Sequence, residues 1–198
     1  MADWVLAVER AYVAEATRPC PARSSLAGGA HQPTLPPVDK PDRPRALAAI
    51  GAVASRYLAV GTPRTLGLII ASAAQLPDAQ LSLEAHRTWF APRELRCAAI
   101  DGTKISELGA PATITDALAS DIVCIHVPLA LAATKLRRGT HINALAPCTL
   151  DDDLAALAMI TPEVPGLGAL AAGLVDGRQL DEITVFQAGD AGIALRAL

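Results

Sequence analysis

The sequence predicts an α/β fold in which a parallel sheet is flanked by helices. From residue 45 onward, short apolar runs alternate with segments of helical periodicity, and several of the runs are apolar throughout. A strand without a polar side is typical of a parallel sheet that crossover helices cover on both faces. Of the 198 residues 52% are hydrophobic but only 3% aromatic, so we expect a core of aliphatic side chains.

The first predicted element is an amphipathic helix over residues 2–16, because Val5, Val8 and Tyr12 recur at helical spacing. The segment 18–45 is rich in proline and contains Gly28 and Gly29, so it cannot form a regular helix. An irregular stretch of this length inside a compact domain usually either carries function or marks a part that has been lost.

The remaining elements are predicted in alternation. A helix over 45–60 ends at Gly61, and a short helix begins at its cap, Thr115. The acids at 151–153 start a further helix, and 166–198 contains a helix, the strand DEITVF and a tail helix. The other predicted elements are a helix over 80–90, a short strand ending at Thr113, and strands over 65–71, 94–100, 121–127, 139–145 and 158–161.

Composition excludes several classes of function. Seventeen Lys and Arg against twenty Asp and Glu give a net charge of −3 without a basic stripe, which argues against nucleic acid and against a membrane surface. Apolar stretches of about a dozen residues are too short to span a bilayer, and the first helix is no signal peptide, so we expect a cytoplasmic protein. The cysteines (Cys20, Cys97, Cys124 and Cys148) lie far apart, which predicts free thiols and no metal site.

Three segments resemble one family: DIVCIHVP (121–128), KLRRGTHINALAP (135–147) and GRQLDEITVFQAGDAGIAL (177–195). Together with the helices over 2–16 and 45–60, they are similar to the ornithine cyclodeaminase/μ-crystallin family. The resemblance covers nearly all of the chain and implies a Rossmann-like sheet. Because family members are much longer, it also implies that the substrate and dimerisation domain is largely missing.

On this basis we divide the chain into three parts. Residues 1–44 are interpreted as a helix plus a proline-rich remnant of the substrate and dimerisation domain. Residues 45–165 are the expected Rossmann-like domain, and 166–198 are expected to return to the N-terminal part.

The resemblance places a dinucleotide-binding turn after the strand 65–71, with Ile70 and Ser72 where the family has glycines. Glycine there permits a tight turn and lets the backbone approach the pyrophosphate. Ser72 is small enough to be tolerated, but the β-branched Ile70 is expected to occupy space that the phosphates need. We therefore expect no cofactor, or NAD(P) if the modified loop still binds it.

Four further residues are candidates for the same binding edge, namely Asp101, Val127, Pro128 and Asn143, because they lie near carboxyl ends of predicted strands. Asp101 either holds a ribose hydroxyl or caps the turn before Gly102. Its spacing from the loop exceeds the roughly twenty residues that are usual. Asn143 stands in an apolar strand, so either a ligand or a neighbouring loop must supply its hydrogen bonds.

The chemistry that the resemblance implies needs a carboxylate to transfer protons and cations to hold a substrate carboxylate. The family's acidic loop reads APCTLDDD here, so Asp151 is the candidate acid, although it is also expected to begin a helix. The family's arginine falls on Ala46, and Arg45 is one step away, which turns a helical side chain by about 100°. A thiolate at Cys148 would need His126 or His141 as its base.

Two main functions follow. The first is a degenerate, non-redox binding or accessory subunit in amino-acid or specialised metabolism. The alternative is an NAD(P)-dependent amino-acid cyclodeaminase or imine/amino-acid dehydrogenase with a modified loop. A different reaction of a small-molecule ligand in the same crevice also stays open. Apolar surface left by the missing domain predicts a homodimer or a partner protein, with the first and last helices as contact surfaces.

Overall fold

The computed structural model describes residues 2–18, 42–178 and 181–198. The proline-rich segment predicted over 18–45 lies mostly outside these ranges, as does Cys20. The helices are α1 (Asp3–Ala16), α2 (Arg43–Leu58), α3 (Leu76–His86), α4 (Ile114–Leu118), α5 (Asp152–Leu157), α6 (Gly168–Ala171) and α7 (Gly192–Ala197). The strands are β1 (Thr65–Ile70), β2 (Glu94–Ala99), β3 (Ala110–Pro111), β4 (Ile122–Ile125), β5 (Leu129–Leu131), β6 (His141–Ala144), β7 (Cys148–Leu150), β8 (Ala158–Pro162) and β9 (Ile183–Gln187).

Seven strands form one parallel sheet in the order β3-β2-β1-β4-β6-β9-β8, which confirms the predicted α/β architecture. The chain leaves β1 toward β2 and β3, and then returns to the other side of β1 with β4. Such a reversal opens a crevice at the carboxyl ends of the strands, where open α/β sheets bind ligands. The small parallel pair β5–β7 was not predicted.

The apolar runs form strands that are buried on both faces, as the sequence indicates. In β1, Leu66, Leu68 and Ile70 pack in a cluster that includes Ala79 and Leu83 of α3, and the intervening Ile69 packs on the opposite face. A Cβ on Gly67 would lie 2.2 Å from the carbonyl oxygen of Ala117. Glycine is therefore required where α4 packs directly on β1.

Helices α1, α2, α6 and α7 pack together, and α2 also packs against α3 and against β6 and β9 of the sheet. Helix α1 buries Val5, Val8 and Tyr12 there, and α7 buries Ala194. The expectation that α1 and α7 offer their apolar faces to a partner is therefore corrected, because these faces cover each other within the chain. Strand β9 lies between β6 and β8, so segment 166–198 also contributes to the main sheet.

Some element boundaries differ from the prediction for identifiable reasons. Helix α3 begins at Leu76, four residues early, because Pro77 is compatible with a first helical turn. Helix α4 is capped by Thr113 rather than Thr115. The Thr113 hydroxyl accepts from the backbone of Asp116, whose carboxylate accepts from the backbone of Thr113. No helix in the described ranges has the length and apolar character that a bilayer span requires.

Candidate functional site

The loop after β1 contains only small or unbranched side chains: Ala71, Ser72 and the 3₁₀ turn Ala73–Gln75, which leads into α3. The amide of Ala71 donates to Gln75 Oε1 at 2.8 Å. The amide of Ala74 donates to Ser72 Oγ at 3.3 Å. Two amides at the entrance to α3 thus bind side-chain oxygens of the loop itself, in the region where a helix N-terminus favours an anion.

Ile70 does not obstruct this loop. Its side chain is fully buried in the cluster beneath α3. Its backbone φ angle is not positive, so the β-branched side chain causes no strain there. The expectation that Ile70 fills the space of a diphosphate is therefore wrong, because the strand turns the side chain into the core. The residues that face solvent at this point are Ala71, Ala73 and Ala74.

Asp101 lies directly beside the loop. In the register of β1 and β2, Ile70 is paired with Ala99, and the amide of Asp101 donates to the carbonyl of Ala71 at 3.1 Å. The long separation in sequence is thus closed by strand pairing. The exposed Asp101 carboxylate accepts from the amide of Thr103 at 2.9 Å, so it caps the turn while it stays at the carboxyl edge of the sheet.

The residues after β4 divide between core and edge. The amide of His126 donates to the carbonyl of Ile69, which holds this segment against β1. Val127 is buried in the core on the α4 face, whereas Pro128 is exposed at the edge. Of these two candidates, only Pro128 lies where a bound molecule would meet it.

Asn143 has protein partners and no exposed surface. Its amide nitrogen donates to Ser55 Oγ at 2.8 Å, and its Oδ1 accepts from His141 Nε2 at 3.0 Å. His86 Nε2 lies 3.4 Å from the amide nitrogen, and Cys124 Sγ lies 3.6 Å away. The hydrogen bonds of Asn143 are thus made by other protein groups and not by a ligand. The prediction that Asn143 contacts a cofactor is therefore wrong.

This buried network is kept uncharged by its surroundings. Burial lowers the pKa of His86 to about 4 and the pKa of His141 to about 3. His126, whose Nε2 lies 3.2 Å from Ser82 Oγ, has its pKa lowered to about 4 by burial and by His86. The neutral rings of His86 and His141, which are hydrogen-bonded in the core, are structural groups rather than bases for a reaction at the edge.

The structure does not bring the proposed catalytic residues together at the edge. Arg45 is exposed on α2 with its guanidinium 5.5 Å from the centre of the Trp4 ring. Asp151 is the N-cap of α5: its carboxylate accepts from the amides of Leu154 and Ala133. Burial raises the pKa of the Cys148 thiol, which disfavours the nucleophilic thiolate.

Cys97, Cys124 and Cys148 are free thiols. Within the described ranges, no cluster of three or more His, Cys, Asp or Glu side chains is arranged to hold a metal ion.

The residue that sequence reasoning missed is Gln75, whose side chain contacts the loop. It was detectable as the single polar side chain that follows a run of alanine and serine.

Comparison with known proteins supports the fold. No protein-family model and no curated protein matches the chain. Several solved structures do match. An archaeal alanine dehydrogenase dimer with bound NAD has a TM-score of 0.60 at 22% identity, over 77% of this chain and 62% of the other. The iminosuccinate reductase of Paracoccus denitrificans in complex with NAD+ has a TM-score of 0.61 at 24% identity, over 77% and 61%.

A probable ornithine cyclodeaminase from Bordetella pertussis Tohama I also matches, with a TM-score of 0.59 at 18% identity over 78% of this chain and 63% of that one. These likenesses confirm the Rossmann-like fold that the family resemblance implies. The chain spans less than two thirds of the length of the three structures. One of the three, the Bordetella protein, is named as a probable ornithine cyclodeaminase, which is the family that the sequence resembles.

Proposed function

We propose that this chain binds a nicotinamide dinucleotide across the carboxyl ends of β1, β2 and β4. The observation that carries the proposal is the pairing of Asp101 with the loop: its amide donates to Ala71, so its exposed carboxylate lies beside the entrance to α3. An acidic side chain at the end of the second strand suits the hydroxyls of the adenosine ribose. The bound NAD in two of the matching structures supports the same proposal.

The residues present fit such a cofactor. The four residues 71–74 are alanine or serine, so their small side chains let a diphosphate approach the backbone near the N-terminus of α3. Gln75 and Ser72 would release the amides of Ala71 and Ala74 to the phosphate oxygens. When bound, the nicotinamide would supply a hydride for reduction of an imine or accept one from an amine. The substrate class that we propose is therefore an amino acid or its imine.

A thermal-shift titration with NADH and NADPH tests the proposal. A ligand at a hundred times its dissociation constant adds about 2.7 kcal/mol to the free energy of unfolding. We expect NADH to stabilise the protein and NADPH to stabilise it less, because the Asp101 carboxylate repels a 2′-phosphate. The difference in stabilisation between NADH and NADPH should shrink in Asp101→Asn. Glu84→Gln, which removes one exposed negative charge on α3, is the control. Absence of stabilisation by either nucleotide would contradict the proposal.

A second candidate function is binding without redox chemistry, as an accessory subunit. It is favoured by the placement of Asp151 as a helix cap and of Arg45 against Trp4, since neither lies at the proposed edge. Oxidation of NADH by a panel of α-imino acids separates the two functions. Binding of NADH without turnover would support the accessory role, and turnover would exclude it.

We further propose that the chain forms a homodimer. Strand β8 lies at the edge of the sheet. Ile160 within it and Leu157 just before it are 40% and 66% exposed. Exposed edge strands with apolar flanks are prone to pair with another chain. The dimeric archaeal neighbour supports the same assembly. Light scattering should show a dimer that Ile160→Lys converts to a monomer, and a monomeric unmodified chain would contradict this.

A further inference from the structure

A cavity lies on the side of the sheet where β8 is the edge strand, near the carboxyl ends of β8 and β9. It has a volume of about 410 Å³, within the range of small-molecule sites. Its lining comes from α1, α6, α7 and the segment after β8, and it includes Tyr12, Glu163, Val164, Ala169, Leu174 and Ile193. Most of these side chains are apolar. The lining has two acids, the exposed Glu15 and the buried Glu163, and Glu163 lies next to the phenol of Tyr12.

Glu163 is held rigidly in this wall. It is 4% exposed, and the hydroxyl of Tyr12 donates to its Oε1. Its Oε2 accepts from the amides of Gly189 at 2.7 Å and Ala191 at 3.1 Å. The two hydrogen bonds from backbone amides fill the accepting capacity of Oε2, whereas Oε1 can accept from one further donor.

The carboxylate lacks a cation. Among the described residues, no Lys or Arg forms an ion pair with Glu163. Arg196 on α7 acts electrostatically on Tyr12, but its side chain is exposed, and Asp190 acts in the opposite direction. Buried charges in proteins are normally paired, so a carboxylate with hydrogen bonds but no counter-ion is incomplete.

The mouth of the cavity is apolar. Val164 and Leu174 are 59% and 62% exposed although both are large aliphatic residues. A ligand in this cavity would cover part of both side chains while its donor reaches Glu163 Oε1. The cavity thus offers the buried Glu163 carboxylate at its wall and apolar surface around it, whereas its second acid, Glu15, is exposed and ion-paired with Arg18.

We propose that this cavity binds a small organic amine, with its ammonium group on Glu163 and its hydrocarbon body against Val164, Ala169 and Leu174. The ammonium supplies the missing cation and donates to Oε1. The hydrocarbon body covers the exposed aliphatic side chains. A carboxylate-bearing ligand is disfavoured because the lining contains two acids, Glu15 and Glu163, and no basic residue among those that the structure describes.

This site is separate from the proposed dinucleotide site. Strand β8 is four positions from β1 in the sheet, which corresponds to roughly 19 Å at the usual spacing of strands. The amine is therefore expected to bind whether or not a nucleotide is present, and the inference does not depend on the proposed function.

The test compares cyclohexylamine, cyclohexanol and cyclohexanecarboxylate, which share a ring and differ in charge, by isothermal titration calorimetry on the full chain at neutral pH. We expect the amine to bind at least tenfold more tightly than the alcohol and the carboxylate to bind more weakly still. Glu163→Gln should lower the affinity for the amine at least tenfold and leave that for the alcohol unchanged. Glu84→Gln, on the exposed face of α3, is the matched control and should change neither.

A second variant covers the case in which Glu163→Gln does not fold. Ala169→Phe fills the half-buried wall of the cavity, keeps the carboxylate, and should abolish binding of both the amine and the alcohol. Equal affinities for amine and alcohol, unchanged amine binding in either variant, or no amine binding by the unmodified chain would each overturn the proposal.

Discussion

At the scale of single residues, Asn143 shows how a polar side chain is accommodated in an apolar strand. Its partners Ser55 and His86 are 88 and 57 residues away in the sequence and belong to α2 and α3. The sequence indicates that Asn143 needs hydrogen bonds, but not that two helices provide them. Only the packing of α2 and α3 over β6 brings these groups together.

Replacing Asn143 by Leu, which has a similar volume, should therefore destabilise the protein. Ser55 Oγ and His141 Nε2 would stay buried without their amide partner, at a cost of about 2–4 kcal/mol. Urea denaturation measures the loss, and Ile142→Val in the same strand is the control for altered packing. The affinity of the folded variant for NADH should be unchanged, since Asn143 does not reach the edge. A weakened NADH affinity at full stability would instead make it a ligand contact.

Gln75 gives a second prediction at this scale. Gln75→Ala removes the side chain that occupies the Ala71 amide and leaves that donor for a phosphate oxygen. We expect NADH to bind the variant about two- to tenfold more tightly, which corresponds to the 0.5–1.5 kcal/mol of one net hydrogen bond. Gln75→Glu should bind NADH more weakly than the unmodified chain because a carboxylate repels the diphosphate. Titrations followed by tryptophan fluorescence compare the three proteins, and equal affinities would show that Gln75 does not compete.

At the scale of elements, Asp151 has two roles: it caps a helix, and it joins that helix to a separate segment. The acids at 151–153 were predicted to begin a helix, and α5 does begin there with Asp151 as its N-cap. The same carboxylate also accepts from the amide of Ala133, the first residue of a 3₁₀ turn. Sequence patterns predict the cap because it is local, but not the second contact, which joins two separate segments.

Two substitutions of Asp151 distinguish a cap from a proton-transferring acid. Asn caps helices as well as Asp does, so Asp151→Asn should keep nearly full stability, whereas Asp151→Ala should lose about 1 kcal/mol. Thermal unfolding measures both. If the protein oxidises NADH, Asp151→Asn should retain that activity. Loss of turnover in a stable Asp151→Asn would show a catalytic carboxylate and would contradict the assignment as a cap.

At the scale of the whole molecule, the apolar runs together with the helical segments between them predicted the parallel sheet, because strands buried on both faces are typical of it. The pairing that places Asp101 beside the loop and the mutual covering of α1 and α7 were not predictable in the same way. Both depend on contacts between distant parts of the chain. The cavity beside Glu163 has the same origin, since α1, α6, α7 and the end of β8 all contribute to it.

The buried histidines give the whole molecule a pH-dependent stability. In the folded state, burial lowers the pKa of His86 and His126 to about 4 and that of His141 to about 3, whereas in the unfolded chain each is near 6.5. Below pH 6.5 the unfolded chain therefore binds protons that the folded chain does not. The free energy of unfolding should fall as the pH decreases from 6.5 to 4, by up to about 1.4 kcal/mol per pH unit for each histidine.

Urea denaturation at a series of pH values measures this slope. This window differs from that of Asp121. The pKa of Asp121 is lowered because hydrogen bonds from Arg64 and Thr65 and the charge of Arg137 outweigh its partial burial, so its contribution is lost only below its usual value near pH 4. Partial burial raises the pKa of Asp78, which opposes the histidine slope. His126→Gln removes one titrating ring and should reduce the slope between pH 4 and 6.5, with little change above pH 7. A stability that is constant from pH 7 to pH 4.5 would contradict the neutral, buried state of these three rings.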